Sequence, residues 1–336
     1  MKSSRRRPTA ADVAAAAGVS RSTVSYILNG TNKQTFSAET VARVRGAAQD
    51  LSYTPHADAR ALRRGESGVV LLVLPDVPAS VNFSKLVSAL TDGVRAADRS
   101  LVSLALRPGN GLLDTLRDMS PTALLEVLPL RDEDRAAAGA VAIPVISMAT
   151  SIQQLDDEAA ALQVEHLAAL GHRRLAVVTV SEPGTLPFAS ARLKATAGTA
   201  ERLGLPAPCA TTVSGPPEMS IPGIATLLRQ WMSGPDPVTA VCCFNDLIAG
   251  LVVAAAGASG INVPDELSVV GIDDEPLGAL LMPHLTTVRY DYTGAGEYVR
   301  DQLRHVLDDG PDPATQRSGA LQLVERSSTS RRTSPS

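Results

Sequence analysis

Residues 8–29 read PTAADVAAAAGVSRSTVSYILN. Thr9 stands just before an alanine-rich helical run and can cap it, with Asp12 in the first turn where a carboxylate meets the helix dipole. Gly18 ends that run. Ser20 can cap a second helix, about Arg21 to Leu28, and Ser37 a third, about Ala38 to Asp50. Val13, Ala17, Val24, Ile27, Val44 and Ala48 recur at helical spacing and predict a miniature core, near the lower limit for independent folding. The second helix leaves small, polar and basic groups facing out, the surface a helix needs to lie in a nucleic-acid groove.

The charge is lopsided in the same sense. The 336 residues carry a net charge of −4. Residues 1–65 hold eleven Lys or Arg against four acids, a formal +7, and the remainder carries −11. A basic head on an acidic body predicts a polyanionic partner for the head alone. Aromatics make up only 3% of the chain, so the cores must be built from Val, Leu, Ile and Ala. Of the three cysteines, Cys242 and Cys243 sit inside the apolar run VTAVCCF, where they read as small hydrophobes. No Cys/His spacing points to a metal, and no cofactor is expected. Arg5 to Arg7 lead into a helix broken by Asp12 rather than into an export signal, and no apolar run approaches the roughly 20 residues of a membrane span. The expected place is the cytoplasm, on the nucleoid, with reduced thiols and no membrane contact.

From Gly68 the texture changes. Apolar runs at 69–75, 101–106, 122–128, 143–148, 175–180, 239–244 and 267–272 alternate with helical stretches. Apolar strands alternating with helices mean parallel sheets covered on both faces, and about 260 residues is enough for two lobes. Pro55 opens HADARALRRG, a helix too short to stand alone, read as a linker that orders on packing. The polar end SSTSRRTSPS reads as disordered.

Together these segments resemble the lac repressor family of bacterial transcription regulators. The head match rests on DVAAAAGVSRSTVSYILNG, SAETVARV and LSYTPHADARALRRG. The body match rests on EHLAALGHRRLAVV, FNDLIAG, VPDELSVVGIDDEPL and LTTVR. The resemblance implies a small all-α helix-turn-helix head and an α/β, two-lobed body similar to type I periplasmic binding proteins. It places the head at 1–54, the hinge helix at 55–66 and the body at 67–326, followed by a tail at 327–336. Lobe one would hold 67–152 plus 287–316, and lobe two 153–286 plus 317–326. Crossovers would lie near 150–156, 282–290 and 316–320.

By that resemblance Arg21, Ser22 and Tyr26 face bases. Arg21 can reach guanine O6 and N7 with two bonds. Tyr26 stands where the family commonly has arginine, so its preferred base is not inherited. Ser20, Thr23, Ser25, Asn29, Ser37 and Thr40 are placed for phosphates, which position without reading sequence. Leu62 matches the hinge leucine that wedges into the minor groove, and Ala59 is small enough to let two hinges approach. Asp58 replaces an apolar residue; paired carboxylates there would repel and weaken hinge pairing, or Asp58 points to water.

In the body the resemblance makes Arg192, Asn245 and Asp273 effector residues, with Tyr290, Tyr292 and Phe83 closing the pocket. Plainer roles stay open: Asp246 capping the following helix, Asp273 holding a turn, Phe83 in the core. The first lobe departs most from the family, since VPASVNFSKL lacks its usual proline–aromatic pairing. The reading is a homodimeric repressor on a near-palindromic double-stranded operator, controlled by a small molecule, a sugar or related metabolite. A co-repressing ligand or an activator remains open. An enzyme on a dinucleotide-type sheet lacks GxGxxG, GxxxxGK[ST], GxSxG and HExxH, and His166 and His172 read as surface residues. A pure sugar-binding module does not account for the basic head.

Overall fold

Thr9 and Asp12 set the start of the head. The Asp12 amide donates to Thr9 Oγ1 at 3.4 Å and the Thr9 amide to Asp12 Oδ2 at 2.7 Å, a reciprocal capping box. The structure, a computed structural model, describes residues 8–29, 36–53, 67–74, 80–106, 111–182, 184–308, 310–311 and 319–332, without the side chains of Asn29, Pro217 and Glu218. The expected hinge helix with Asp58, Ala59 and Leu62 lies outside the described residues, as does the side chain of Asn29.

Three helices make the head: α1 (Ala10–Ala17), α2 (Arg21–Asn29) and α3 (Ala38–Asp50). Gly18 ends α1 at φ 64°, a left-handed position that glycine adopts without steric cost. Ser20 Oγ accepts from the Thr23 amide at 3.0 Å and Ser37 Oγ from the Thr40 amide at 3.2 Å, so both later helices start on hydroxyl caps. Val13, Ala14, Ala17, Val24, Ile27, Val44 and Ala48 form the core, ringed by Phe36 and Tyr53.

The body has two sheets. The first, in order β2-β1-β3-β4, is parallel: β1 (Val69–Leu74), β2 (Ser100–Ala105), β3 (Ala123–Glu126) and β4 (Val145–Ser147). Along β1 the pleat sends Val70 and Leu72 to one face and Leu71 and Val73 to the other. The first face packs on Leu86, Leu90 and Val94 of α4 (Val81–Ala96). The second packs on Leu112 and Leu116 of α5 (Leu112–Met119) and Ala138 of α6 (Asp132–Ala140).

The second sheet runs β10-β9-β8-β7-β5-β6, parallel except for the antiparallel β9–β10 pair. Its strands are β5 (Leu175–Val180), β6 (Cys209–Val213), β7 (Ala240–Cys243), β8 (Ser268–Ile272), β9 (Thr286–Asp291) and β10 (Ala320–Val324). Around it lie α7 (Ala149–Ala169), α8 (Leu186–Arg202), α9 (Pro217–Trp231) and α10 (Asp246–Ala258). Helix α7 joins the lobes: Ile152 packs in the first-lobe core, Val164 and Leu167 in the second. Cys242 and Cys243 are buried, and burial pushes the Cys242 thiol up to about 12.

Four features differ from the sequence expectation. Strands β6, β9 and β10 were not read: β6 and β10 are edge strands of mixed exposure, and β9 carries two threonines and an arginine. Strand β9, assigned with 287–316 to lobe one, pairs with β8 in the second sheet. The chain returns to lobe one only beyond Asp291, through α11 (Thr293–Asp308), whose Ala295, Val299 and Leu303 join the first-lobe core. There α11 crosses α4 so closely that a Cβ on Gly93 would lie 2.1 Å from the Gly296 carbonyl oxygen, which admits no side chain.

The third and fourth differences belong together. Part of the expected disordered tail is bonded: Ser328 is fully buried, its Oγ donating to the Val269 carbonyl at 2.6 Å and accepting from the Thr286 amide at 2.8 Å. The Ser330 amide donates to Ser268 Oγ at 3.0 Å and the Arg332 amide to the Leu170 carbonyl at 2.8 Å. His166 and His172, expected at the surface, are buried beneath this segment, bonded to Thr329 Oγ1 at 3.1 Å and to the Ser330 carbonyl at 3.1 Å. A polar composition reads as solvated, yet here its hydroxyls and amides satisfy groups at the sheet end. Among the described residues no cluster of His, Cys, Asp and Glu could hold a metal, and no helix is long and apolar enough to cross a membrane.

Candidate functional site

On α2, Arg21 and Ser22 are exposed, and Thr23, Ser25 and Tyr26 are half-buried. Ser20 Oγ sits among hydroxyls, 2.7 Å from Ser22 Oγ and 2.8 Å from Thr23 Oγ1. Ser37 is exposed with Oγ 2.9 Å from Thr40 Oγ1, and Thr40 is half-buried. The Tyr26 ring stacks on Phe36, centroids 6.4 Å apart and planes at 29°. The sequence reading missed Phe36, which holds the ring of the one unusual base-facing residue. The hydroxyls engaged with one another keep lone pairs and rotatable protons, so each can still meet an external oxygen.

In the body a cavity of about 590 Å³ opens between the lobes, and all six expected effector residues line it: Phe83, Arg192, Asn245, Asp273, Tyr290 and Tyr292. Lobe one contributes the start of α4, with Ser80, Asn82, Phe83 and Leu86. Lobe two contributes Phe188 and Arg192 of α8, Phe244 to Leu247 at the start of α10, and Asp273 and Glu275 beyond β8. Helix α7 adds Ile152, Leu155 and Asp156. These are ends of parallel strands and the helices that follow them, the usual place for a ligand in open α/β sheets.

Arg192 does not reach into this space freely; its side chain is 11% exposed. Nε and Nη2 donate to Asp156 Oδ1 at 3.0 and 2.7 Å, Nη2 also reaches Tyr290 Oη at 3.2 Å, and Nη1 donates to the Phe244 carbonyl. Its Cζ lies 4.6 Å over the Phe244 ring, a cation–π contact. Burial alone would lower the guanidinium pKa, but Asp156 drives it well above the ordinary value. Tyr290 donates to the same Asp156 oxygen at 2.7 Å and stacks on Tyr292, centroids 5.6 Å apart and planes at 5°. Asp156 Oδ2 is buried with no partner.

Asn245 is the cap of α10, Oδ1 accepting from the Ile248 amide at 3.0 Å. Asp246, the residue the sequence offered as that cap, is instead fully buried. It accepts from Thr287 Oγ1 at 2.6 Å and the Glu275 amide at 2.7 Å, and burial pushes its carboxyl up to about 7. Asp273 and Asp274 both take positive φ, 110° and 49°. That turn sends the two carboxylates into opposite environments. Asp274 accepts from Arg289 Nε at 2.7 Å and Arg326 Nη2 at 2.6 Å; burial acts to raise its pKa, and the two arginines hold it below the usual carboxylate range. Asp273 faces the cavity, where burial pushes its carboxyl up to about 8 against the opposing pull of Arg192.

The lobes meet through polar contacts that the sequence did not reveal. Glu275 Oε1 accepts from the Val81 and Asn82 amides at 2.9 and 3.3 Å, a carboxylate of lobe two at the helix start of lobe one. Asn82 Nδ2 donates to Asp273 Oδ1 at 3.1 Å and to Tyr292 Oη at 3.2 Å, leaving its own Oδ1 buried and unpartnered. Asn82, Asp156 and Phe188 carry no distinguishing signal in sequence, and Phe244 and Glu275 lie in the motifs FNDLIAG and VPDELSVVGIDDEPL without having been singled out there; Asp156, inside LDDE, looks like one more solvated acid.

Residues 9–56 match the model for bacterial regulatory proteins of the lacI family, and residues 164–329 the periplasmic binding protein-like domain. The HTH-type transcriptional regulator MalR of Streptomyces coelicolor is 30% identical over 343 residues, covering 95% of this chain and 96% of MalR. The ribose operon repressor of Escherichia coli is 30% identical over 320 residues, 88% of this chain and 92% of that one. GalR of E. coli is 28% identical over 340 residues, 96% of each. Among solved structures, a lac repressor dimer bound to operator and the anti-inducer ONPF shares the fold with TM-score 0.76 at 24% identity, covering 97% of this chain and 100% of that one. A CelR–cellobiose complex does so with TM-score 0.63 at 21% identity, covering 96% and 100%.

Proposed function

The chain belongs to the lacI family of bacterial regulatory proteins, and from that premise we propose that it is a cytoplasmic, homodimeric repressor whose grip on a near-palindromic operator is set by a small molecule held between its lobes. Arg21, Ser22 and Tyr26 read bases from α2 in the major groove. Ser20, Thr23, Ser25, Asn29, Ser37 and Thr40 hold phosphates, and Ala59 and Leu62 of the hinge enter the minor groove. The single observation that carries this reading is the exposed Arg21–Ser22 start of α2, built on two hydroxyl-capped helices at the basic end of the chain. The lac repressor structure is of a dimer on its operator and the CelR structure is of a cellobiose complex. These likenesses support a second copy, a duplex and a sugar or related small metabolite as partners here.

The coupling is mechanical. Glu275, Asp273 and Asn82 join the lobes across the cavity, so a molecule seated there favours one separation of the lobes over another. A few kcal/mol of such preference is enough to switch operator occupancy. Selection from random duplexes with the whole chain should enrich a two-fold sequence, with affinity falling about 0.9 log units per log unit of salt for each phosphate neutralised. Residues 69–336 alone should enrich nothing. A selection that succeeds without the head, or a flat salt response, would end this reading.

A further inference from the structure

The first turn of α4 is completed from the other lobe. A helix start leaves its first amides without a partner inside the helix. Ser80 answers one of them, its Oγ accepting from the Phe83 amide at 3.0 Å. The Val81 and Asn82 amides find theirs across the cavity, where both donate to Glu275 Oε1 at 2.9 and 3.3 Å. Beside them Asn82 Nδ2 donates to Asp273 Oδ1 at 3.1 Å. Two residues of lobe one thus meet a three-residue turn of lobe two.

That turn is fixed within its own lobe. The Glu275 amide donates to Asp246 Oδ2 at 2.7 Å, and its carbonyl accepts from the Gly278 amide at 2.9 Å. The other Asp246 oxygen accepts from Thr287 Oγ1 of β9 at 2.6 Å, and the same hydroxyl accepts from the Asp274 amide at 3.3 Å. Asp246 sits directly on the backbone of β8: a Cβ on Gly271 would lie 2.1 Å from its Oδ1. Arg289 and Arg326 hold Asp274, and Pro276 fixes the backbone on the far side. From this rigid turn the Glu275 side chain spans the gap to α4. Glu275 and Asn82 are half-buried and Val81 is exposed, so water can replace each bond as the lobes part. Such a tie biases a balance between lobe arrangements without freezing it.

We infer that Glu275 is a clasp between the lobes, a positioning residue that holds the start of α4 on the 273–275 turn and so sets the lobe separation to which operator affinity responds. This role rests on the proposed control of DNA binding by lobe separation. Parting the lobes takes one carboxylate off two amides at once and uncovers the positive end of a 16-residue helix. Ser80 cannot make up the loss, because its hydroxyl already serves the Phe83 amide in the same turn. A molecule between the lobes then works with or against a bias that the protein itself supplies, and the size of that bias limits the switch.

Four variants of the full chain test it with no ligand added: Glu275→Ala, Glu275→Asp, Glu275→Gln and Ser80→Ala. Two quantities are read, the radius of gyration by small-angle scattering without DNA and the affinity for the duplex that the whole chain enriches. Glu275→Ala should shift the radius of gyration and change that affinity by at least about threefold. Glu275→Asp keeps the charge but is one methylene too short to reach α4, so it should behave alike and stands in if the alanine variant does not fold. Glu275→Gln keeps an oxygen for the two amides and should stay within about twofold of the native chain. Ser80→Ala uncaps the same helix from within lobe one and should leave both readings unchanged. Native readings in Glu275→Ala and Glu275→Asp overturn the clasp, and so does an equal response to Ser80→Ala, which would make Glu275 an ordinary helix cap. A changed affinity with unchanged scattering overturns it as well. Changed scattering with unchanged affinity keeps the clasp and removes lobe separation from the control of DNA. If no duplex is enriched, the regulatory reading fails and scattering alone decides the clasp.

Discussion

Helix α2 and the interlobe cavity offer the same chemistry, an arginine with small polar side chains and tyrosine, and they treat it in opposite ways. On α2, Arg21 and Ser22 stand exposed, and Tyr26 keeps part of its surface while stacking on Phe36. In the cavity, Arg192 is 11% exposed and bonded to Asp156, Tyr290 and Phe244, Tyr290 is buried, and Asn245 holds a helix cap. The difference teaches that residue type and position name a candidate, while the remaining hydrogen-bonding capacity decides whether it can bind anything. One arginine is an arm; the other is a strut.

Arg192→Ala is the sharpest way to break that contrast. It leaves the Asp156 carboxyl buried without its cation, and urea unfolding should show a loss of about 3–5 kcal/mol. Arg21→Ala should change the same unfolding free energy by less than about 0.5 kcal/mol. Equal effects at the two positions would erase the distinction. The ranking reverses for DNA: Arg21→Ala should weaken operator binding by about 1–3 kcal/mol, read by fluorescence anisotropy against base-substituted duplexes, with discrimination lost at one base pair.

Protons sharpen the comparison at a smaller scale. Asp273 is faced by Arg192, Asp246, Asp156 and Glu275 and bonded by Asn82, and burial holds its carboxyl near 8. Its folded value lies above the unfolded one, so the stability it contributes is present at low pH and is lost as pH rises from about 4 through about 8. Asp273→Asn should flatten that fall in urea unfolding measured across this range. An equal pH dependence in the variant would take Asp273 out of the account. Asn245→Ala has the smallest expected effect, about 1 kcal/mol of stability from the lost α10 cap, seen in thermal melts. A larger loss of ligand affinity than of stability would restore Asn245 as a ligand arm.

Much of the architecture was legible because it is local. Thr9, Ser20 and Ser37 announce helix starts through hydroxyls that bond amides three residues on, and Gly18 announces a stop. The buried strands β1, β3, β5, β7 and β8 are continuous apolar runs and were read as such. Edge strands β6 and β10 escaped because half their residues meet solvent, which dilutes the apolar signal. The end segment around Ser328 escaped for the opposite reason: its polar residues are buried by partners far away in sequence. The six expected cavity residues do line one space, yet Asn82, Asp156 and Glu275 were not among them, because their contacts run to residues 36 or more positions away.

The amino-acid order by itself determined where helices begin, which strands are central, that the basic charge gathers in the first 65 residues, and which family the chain belongs to. Those properties depend on neighbours within a few residues or on sums along the chain. Tertiary structure alone decided that Arg192 is bound to Asp156, 36 residues away, that Glu275 caps a helix 194 residues before it, and that Asn82 Oδ1 and Asp156 Oδ2 are left buried without partners. A hydrogen bond is spent or free only once its partner is in place, and those partners come together only when the chain has folded.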